Sequence, residues 1–382
     1  MKRWICLSMI CLLLLGIFPV YAGAVELDIP AKSALLMDAA TGTVIYESNA
    51  HEALAPASVT KVMTMLLIME AIDSGRIGWD DTVTASEAAA AKGGSQIYLK
   101  VGETMSVSDM VKSIAVSSAN DCACAMAEHI AGSESAFVNM MNARAKELGM
   151  QDTNFVNCTG LDDDENAKDH LTSAYDIAIM SRQLLVNHPD IKKFTTIWMD
   201  TVRNGAFGLS NTNKMVRFYS GCTGLKTGFT SAAGYCLSAS AQRDGMELIA
   251  VVMGAKTSQE RFAACKSMLD YGFANYALVT PQLEETASVP VKLGKAESVT
   301  AVPTQDTALL IDKSQLNTAN IKTELQDQVT APVSKGQRLG TMTIRAGEQV
   351  LAQIPLVAEQ AVAKLSWGDL FLRIIQQVAM AK

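Results

Sequence analysis

The chain has 382 residues, of which 49% are hydrophobic, and a formal net charge of −7. An acidic balance is not the electrostatic footprint of a nucleic-acid-binding protein, so we expect no nucleic-acid partner. The length exceeds that of one typical domain, and the sequence therefore predicts two.

Residues 1–24 have the pattern of a secretory signal peptide. Lys2 and Arg3 precede an apolar stretch over residues 4–20, and small residues suitable for cleavage follow at Ala22 and Ala24. The pattern predicts an exported protein. The alternative at this position is an uncleaved membrane anchor.

Residues 25–279 are predicted to form the first domain. It begins with a hairpin that turns at residues 40–42, followed by an apolar helix from Ser58 to about Ser74. Two helices are expected between Val107 and Ala131, interrupted near Ser118. Later helices are predicted over residues 135–148, 173–188 and 257–276, and strands over 224–230, 234–241 and 246–254. The order predicts an α/β (α+β) domain, with helices on both faces of an antiparallel sheet.

The composition changes near Thr280. Residues 280–364 are rich in Val, Thr, Gln and Lys, and their short alternating segments are separated by turns. This pattern predicts a small all-β domain. No group of reactive polar side chains is evident there, so we expect it to carry no chemistry.

Residues 365–382 are predicted to form an amphipathic helix. Its apolar residues recur at spacings of three and four: Trp367, Leu370, Phe371, Ile374, Ile375 and Val378. In an exported protein this pattern is typical of an interfacial helix, so we expect it to lie peripherally on the extracytoplasmic face of the cell membrane. The alternative is a helix packed on the protein's own surface.

Three short polar motifs interrupt the apolar first domain. They are Ser58-Val59-Thr60-Lys61, Ser118-Ala119-Asn120 and Lys226-Thr227-Gly228. Each alone has an ordinary explanation, as a helix cap, a capping pair or a loop with a solvated lysine. Together and in this order they match the S-x-x-K, S-x-N and K-T-G motifs of penicillin-binding proteins and serine β-lactamases. The set indicates acyl transfer through a serine nucleophile.

The residue types in these motifs suit that chemistry. A serine hydroxyl is a weak nucleophile until a base accepts its proton, and Lys61 follows Ser58 by one helical turn on the same face. Lysine can serve as the base when burial or a neighbouring cation such as Lys226 lowers its pKa. Gly228 lets a substrate backbone approach, while Lys226 and Thr227 can donate hydrogen bonds to a carboxylate.

Longer stretches resemble the low-molecular-mass D-alanyl-D-alanine carboxypeptidases, the penicillin-binding proteins of peptidase family S11. The resemblance covers roughly Leu27 to Ala277 and includes Gly224-Leu-Lys-Thr-Gly-Phe-Thr, Val116-Ser-Ser-Ala-Asn-Asp and His170-Leu-Thr-Ser-Ala-Tyr-Asp. It implies a transpeptidase-like domain of the serine β-lactamase type. The implied activity is removal of the terminal D-alanine from the peptidoglycan stem pentapeptide through an acyl-enzyme, with β-lactam antibiotics acylating the same serine.

The resemblance also implies roles for individual residues. Ser58 corresponds to the nucleophile and Lys61 to the acylation base. Ser118 would shuttle a proton and Asn120 would hold a substrate amide. Lys226, with the adjoining Thr227, would bind the substrate end.

Two further positions are carried over from the family. The backbone N–H groups of Ser58 and Phe229 would form the oxyanion hole. Some relatives have histidine where Phe229 stands, which affects the expected tuning of deacylation. Arg261 resembles an arginine that helps to hold the terminal carboxylate; the alternative is a charge on a helix surface.

The cysteines and histidines show no ligand pattern. Cys6 and Cys11 lie in the signal segment, and the six others have apolar surroundings that indicate buried free thiols. A bridge between Cys222 and Cys236 is the alternative, since both flank the strand predicted around Lys226. The histidines are scattered, and we expect neither a metal nor a cofactor.

Two other functions share these motifs. A class A β-lactamase needs a glutamate that activates the deacylating water, and Glu165 is the nearest candidate. A penicillin-sensing protein would be acylated without turning over a peptide. Release of D-alanine distinguishes the carboxypeptidase from both.

Overall fold

The computed structural model describes residues 27–163, 166–280, 287–304 and 307–380. The predicted signal peptide and Glu165 lie outside these residues. The helices are α1 Lys61–Asp73, α2 Glu87–Ala90, α3 Val107–Ser117, α4 Asn120–Ala131, α5 Glu134–Glu147, α6 Ala174–Asn187, α7 Lys192–Thr195, α8 Met215–Phe218, α9 Ser258–Asn275 and α10 Trp367–Met380.

The strands divide between the two predicted domains. In the first domain they are β1 Ser33–Asp38, β2 Val44–Ser48, β3 Thr82–Thr84, β4 Thr104–Ser106, β5 Met199–Val202, β6 Phe207–Ser210, β7 Cys222–Thr230, β8 Gly234–Arg243, β9 Met246–Ala255 and β10 Tyr276–Val279. Those that follow are β11 Ser288–Lys292, β12 Ser298–Pro303, β13 Leu309–Asp312, β14 Ala319–Leu325, β15 Val329–Thr330, β16 Arg338–Ala346 and β17 Gln349–Ala358.

An antiparallel sheet of order β2-β1-β9-β8-β7 forms the centre of the first domain. Successive side chains of a strand point to opposite faces. Leu35 of β1 therefore belongs to the buried cluster that includes residues of α1, α3, α4 and α6, while Leu36 belongs to the cluster on the other face, which includes residues of α9. The almost wholly apolar β9 is buried because helices cover both faces. This arrangement confirms the predicted fold class, and it leaves β7 at an edge of the sheet.

The apolar helix begins later than the sequence predicts. Residues Ala57–Thr60 form a 3₁₀ turn, and α1 starts only at Lys61. Ala57 has a positive φ of 50°, so the chain cannot enter an α-helix before Ser58. A 3₁₀ turn has three residues per turn, which aligns side chains at i and i+3. Ser58 and Lys61 therefore still face the same direction.

A second, six-stranded sheet of order β14-β16-β17-β12-β11-β15 forms the all-β domain. In β11 the side chains alternate between exposed and buried, as expected for a sheet with one covered face. The domain's buried cluster consists of aliphatic residues and methionine, among them Val289, Val299, Leu339, Met342 and Ile354. The predicted C-terminal all-β domain is thus confirmed.

The two domains are also joined by a short ladder. Strand β10, directly after α9, pairs antiparallel with β13, so that Tyr276 lies opposite Asp312. The Lys313 ammonium donates to the carbonyl of Phe273 at 2.6 Å. The chain therefore returns to the first domain after entering the second.

The C-terminal helix α10 exposes much of its apolar surface. Trp367 is 90% exposed, and Phe371 and Ile374 are also exposed. On its polar side, Arg373 donates to Glu297 at 2.8 Å. Within the described parts of the chain, no helix combines the length and the apolar character needed to cross a membrane.

All six cysteines after the signal segment are free, and five of them are buried. The register of β7 and β8 places Cys222 opposite Ala241 and Cys236 opposite Gly228. The two thiols are therefore several residues apart along the ladder. The alternative of a bridge between them was wrong.

Candidate active site

Ser58 and Lys61 form the centre of the site. The Lys61 ammonium donates to the Ser58 hydroxyl at 2.9 Å and to the carbonyl of Thr159 at 2.7 Å. Lys61 is completely buried, and this burial lowers the pKa of Lys61 to about 7. Lysine is here close to the neutral form that can accept a proton from serine.

Lys226 lies on β7 beside this pair. Its side chain is buried, and its ammonium donates to the carbonyl of Thr227 at 3.0 Å. Burial, together with the charges of Lys61 and Arg261, holds the pKa of Lys226 well below its ordinary value. The charge of Lys61 thus acts on Lys226, whereas the pKa of Lys61 is itself lowered by burial, against the nearby Cys158 and Asp121, which raise it.

Gly228 allows β7 to pass directly alongside the serine turn. A Cβ atom at this position would lie 2.6 Å from the Pro56 carbonyl oxygen and 3.1 Å from the Ser58 amide nitrogen. Next to it, Phe229 is 53% exposed and its ring stacks on Tyr235 with centroids 4.3 Å apart. Only glycine fits between the nucleophile and the strand edge.

Ser118 and Asn120 stand where α3 ends and α4 begins. Ser118 adopts a left-handed conformation with φ 63°, which turns the chain sharply between the helices. The Asn120 amide donates to the Gly93 carbonyl at 2.7 Å. Among the described residues, the Ser118 hydroxyl and the Asn120 side-chain oxygen are buried without a hydrogen-bond partner. Such groups need partners, and a bound substrate could supply them.

Arg261 is a buried residue of α9. It is 7% exposed, and its Nη1 donates to the Gly228 carbonyl at 2.8 Å and to the Cys236 carbonyl at 3.2 Å. The alternative of a surface charge was therefore wrong. Arg261 supports the backbone of β7 and β8 from behind, while its contact with a substrate carboxylate stays a prediction.

Thr227, the residue after Lys226 on β7, is hydrogen-bonded to a residue outside the three motifs. Its hydroxyl donates to the Thr212 hydroxyl at 2.7 Å, and Thr212 directly precedes the segment that contains α8. The structure thus brings the 3₁₀ turn, β7 and α9 into contact, while Ser118 and Asn120 lie at the α3–α4 junction.

His170 is a residue of the site that the motifs did not reveal. The Val156 N–H donates to its Nδ1 at 3.0 Å, so the opposite nitrogen can donate to the Thr60 hydroxyl at 2.7 Å. Burial, and secondarily the charge of Lys61, lowers the pKa of His170 to about 4. A neutral His170 therefore ties the loop over residues 154–171 to the serine turn.

Gly160 and Asp121 were missed as well. Gly160 has φ 80°, and a Cβ atom there would lie 1.8 Å from the Ala57 carbonyl oxygen. The Asp121 carboxylate is buried and accepts from the N–H groups of Ile97 and Leu99 at 3.1 Å and 3.0 Å. An acidic residue in the first turn of an otherwise apolar helix was a signal for such a contact.

Comparison with known proteins gives consistent matches. The family model for D-alanyl-D-alanine carboxypeptidase matches residues 21–257, and the model for the C-terminal domain of penicillin-binding protein 5 matches residues 279–364. The D-alanyl-D-alanine carboxypeptidase DacF of Bacillus subtilis is 45% identical over 345 residues, which are 89% of this chain and 87% of that protein.

Solved structures agree with these matches. Penicillin-binding protein 5 of Haemophilus influenzae has a TM-score of 0.79 at 30% identity, covering 90% of this chain and all of that one. Penicillin-binding protein D2 of Listeria monocytogenes, solved in its ampicillin-bound form, has a TM-score of 0.59 at 32% identity. That match covers 65% of this chain and 99% of the Listeria protein.

Proposed function

Because the chain belongs to the D-alanyl-D-alanine carboxypeptidase family, we propose that it removes the terminal D-alanine from peptidoglycan stem pentapeptides and thereby regulates cell-wall cross-linking. β-Lactam antibiotics would acylate the same serine. The observation that carries the proposal is the Lys61 ammonium, 2.9 Å from the Ser58 hydroxyl and with a pKa lowered to about 7. The reaction needs no metal or cofactor, because the nucleophile and its base are both side chains.

We propose that acylation proceeds by attack of the Ser58 hydroxyl oxygen on the carbonyl of the penultimate D-alanine. Neutral Lys61 accepts the hydroxyl proton, and Ser118 passes a proton to the departing amine of the terminal D-alanine. The N–H groups of Ser58 and Phe229 stabilise the oxyanion. Water then hydrolyses the ester and regenerates the serine.

Substrate binding would use the edge of β7. Lys226 and Thr227 donate to the terminal carboxylate, and Arg261 adds positive charge behind the strand. Asn120 accepts from or donates to a substrate amide. The unpartnered oxygen of Asn120 and the close passage of Gly228 along Ser58 support this arrangement.

We further propose that the protein is exported and lies peripherally on the extracytoplasmic face of the cell membrane. The exposed apolar residues of α10 support an interfacial helix. We place the domain boundaries at residues 24, 279 and 364. Co-sedimentation with anionic phospholipid vesicles tests the anchor: Phe371→Ser should reduce binding, and equal binding by this variant would contradict it.

The test of activity is mass spectrometry of the purified mature protein with diacetyl-Lys-D-Ala-D-Ala and, separately, with penicillin. Release of D-alanine and a stable penicilloyl adduct are expected, and both should disappear in Ser58→Ala. Rapid formation of free penicilloic acid without peptide cleavage would instead identify a β-lactamase. An adduct without D-alanine release would identify a penicillin sensor.

A further inference from the structure

Two loops that hold catalytic side chains meet at the carboxylate of Glu134. The backbone N–H of Cys158 donates to Glu134 Oε1 at 3.2 Å, and the Cys158 thiol donates to the same oxygen at 3.2 Å. The other oxygen, Oε2, accepts from the Lys92 ammonium at 2.6 Å. One side chain therefore connects residue 92 with residue 158.

Lys92 and Cys158, the two partners of Glu134, each precede a residue whose carbonyl accepts a hydrogen bond from a motif residue. Gly93, next to Lys92, supplies the carbonyl that accepts from Asn120 at 2.7 Å. Thr159, next to Cys158, supplies the carbonyl that accepts from Lys61 at 2.7 Å. Since Lys92 adjoins Gly93 and Cys158 adjoins Thr159 in the chain, a shift of the backbone at either partner of Glu134 would move the neighbouring carbonyl.

We propose that Glu134 is a positioning residue that fixes Lys61 and Asn120 relative to each other through these two loops. The inference rests on the proposed function, in which both residues take part in acylation. Glu134 itself touches neither of them.

The surroundings of Glu134 suit this role. Its side chain is 22% exposed and that of Lys92 is 24% exposed, so the pair is partly shielded from water. Burial opposes ionisation, but the hydrogen bond and charge of Lys92 outweigh it and lower the pKa of Glu134. On the far side of the same loop, the Thr64 hydroxyl donates to the Cys158 carbonyl at 2.6 Å. The loop is thus held from both sides.

A purely structural role is the competing explanation. Glu134 is the first residue of α5, where a negative charge stabilises the helix dipole. Such a role would affect stability but would not link Lys61 to Asn120. The chain offers a matched control in Glu70, which pairs with Arg144 at 2.8 Å with side chains 26% and 24% exposed.

The experiment compares Glu134→Gln and Glu134→Ala with Glu70→Gln and Glu70→Ala in the full mature chain. Three quantities are measured: the rate constant of acylation by a fluorescent penicillin, kcat and KM for D-alanine release, and Tm. A further variant, Lys92→Met, cuts only the ion pair and serves if Glu134→Ala does not fold.

We expect Glu134→Ala to lower kcat and the acylation rate constant by about tenfold while KM changes less, because reacting groups are misplaced and not removed. Glu134→Gln should retain more activity than Glu134→Ala, since its amide oxygen can still accept from the Cys158 N–H. Lys92→Met should likewise lose less than Glu134→Ala. The Glu70 variants should lower Tm similarly but keep rates within twofold of the wild type.

Wild-type rates in both Glu134 variants, or an equal loss of rate in the Glu70 variants, would overturn the inference. Failure of the proposed function looks different: the wild type would be acylated by penicillin but release no D-alanine. The acylation rates of the variants would then still decide the role of Glu134.

Discussion

The two domains differ most in what they bury. The first domain holds Lys61, Lys226, Asp121, Arg261 and His170 away from water. In the β-domain, the buried polar residues among those that the structure describes after residue 286 are limited to two threonines, Thr307 and Thr343. Its core is otherwise aliphatic, with methionine.

The difference is that charged side chains are buried in the first domain, whereas the core of the β-domain is apolar. A buried charge loses hydration, and it persists only with partners or with a shifted pKa. The first domain buries such a group beside Ser58, where burial lowers the pKa of Lys61 to about 7. The β-domain shows no comparable arrangement among its described residues.

The largest expected effect comes from replacing the buried base. Lys61→Met should lower the rate of acylation by about 10³-fold or more, because Lys61 is the proposed base and its Nζ contacts the Ser58 hydroxyl. The free energy of unfolding should stay equal or rise, since a buried charge is replaced by an apolar side chain of similar length. Stopped-flow acylation and urea unfolding measure the two quantities.

The matched control for this prediction is Lys322→Met on β14, where the lysine is solvent-exposed. It should change neither the rate nor the stability appreciably. Acylation by Lys61→Met within tenfold of the wild type would show that another residue is the base.

A pair of glycines, one in each domain, tests the difference between the two domains through the free energy of unfolding. Gly160 and Gly336 have similar positive φ values of 80° and 81°, but a Cβ atom would collide with Ala57 only at Gly160. Gly336→Ala should cost about 1 kcal/mol of unfolding free energy from backbone strain alone. Gly160→Ala should cost about 3–4 kcal/mol, since overpacking adds to the strain. If urea unfolding shows equal losses of unfolding free energy in the two variants, the serine turn shifts to accommodate the added methyl group at little cost.

Acid should weaken the first domain more than the second. The pKa of His170 is lowered from 6.5 to about 4, so the unfolded state binds the proton more tightly. Protonation of His170 therefore does not reduce the free energy of unfolding above pH 6.5. The free energy of unfolding then falls as the pH drops from 6.5 toward 4. At pH 5 the expected loss is about 2 kcal/mol.

Tryptophan fluorescence can measure this loss in the first domain. In a Trp367→Phe background of the mature chain, Trp79 and Trp198 report on the first domain. The β-domain contains no histidine and should show no such decline between pH 6.5 and 5. The variant His170→Gln should lose this pH dependence of stability. If the pH dependence persists in the variant, groups other than His170 cause it.

The smallest expected effect is on the rate near neutral pH. Because neutral Lys61 is the base, kcat/KM should rise about tenfold per pH unit below pH 7 and level off above it. Lys322→Met should leave this profile unchanged. A limb centred near pH 4–5 would point to a carboxylate base instead.

Local patterns in the sequence were sufficient for most of the fold. The helices around Ser118 and the hairpin of β7 and β8 were predicted, because apolar periodicity and turn residues act over a few positions. The short strand pairs β3–β4 and β5–β6 were not predicted, since three- and four-residue strands carry almost no periodic signal. The 3₁₀ turn at Ser58 was also missed.

The site was predictable only where a motif names it. His170 reaches Thr60 across 110 positions, and Thr159 reaches Lys61 across 98. Contacts of this range depend on how loops pack, and no local pattern encodes them. For the same reason, the sequence did not decide whether Arg261 is buried or exposed. Glu134 carries no distinctive signal in the sequence, since an acidic residue at a helix start has an ordinary explanation.

The free thiols make the first domain its own unfolding reporter. Cys122, Cys124, Cys158, Cys236 and Cys265 are buried, and the chain has no cysteine after Cys265. A thiol reagent can reach these sulfurs only when the surrounding structure opens. The rate at which these five buried thiols are labelled in native buffer would therefore measure how often the first domain opens, without an engineered cysteine and without a contribution from the β-domain.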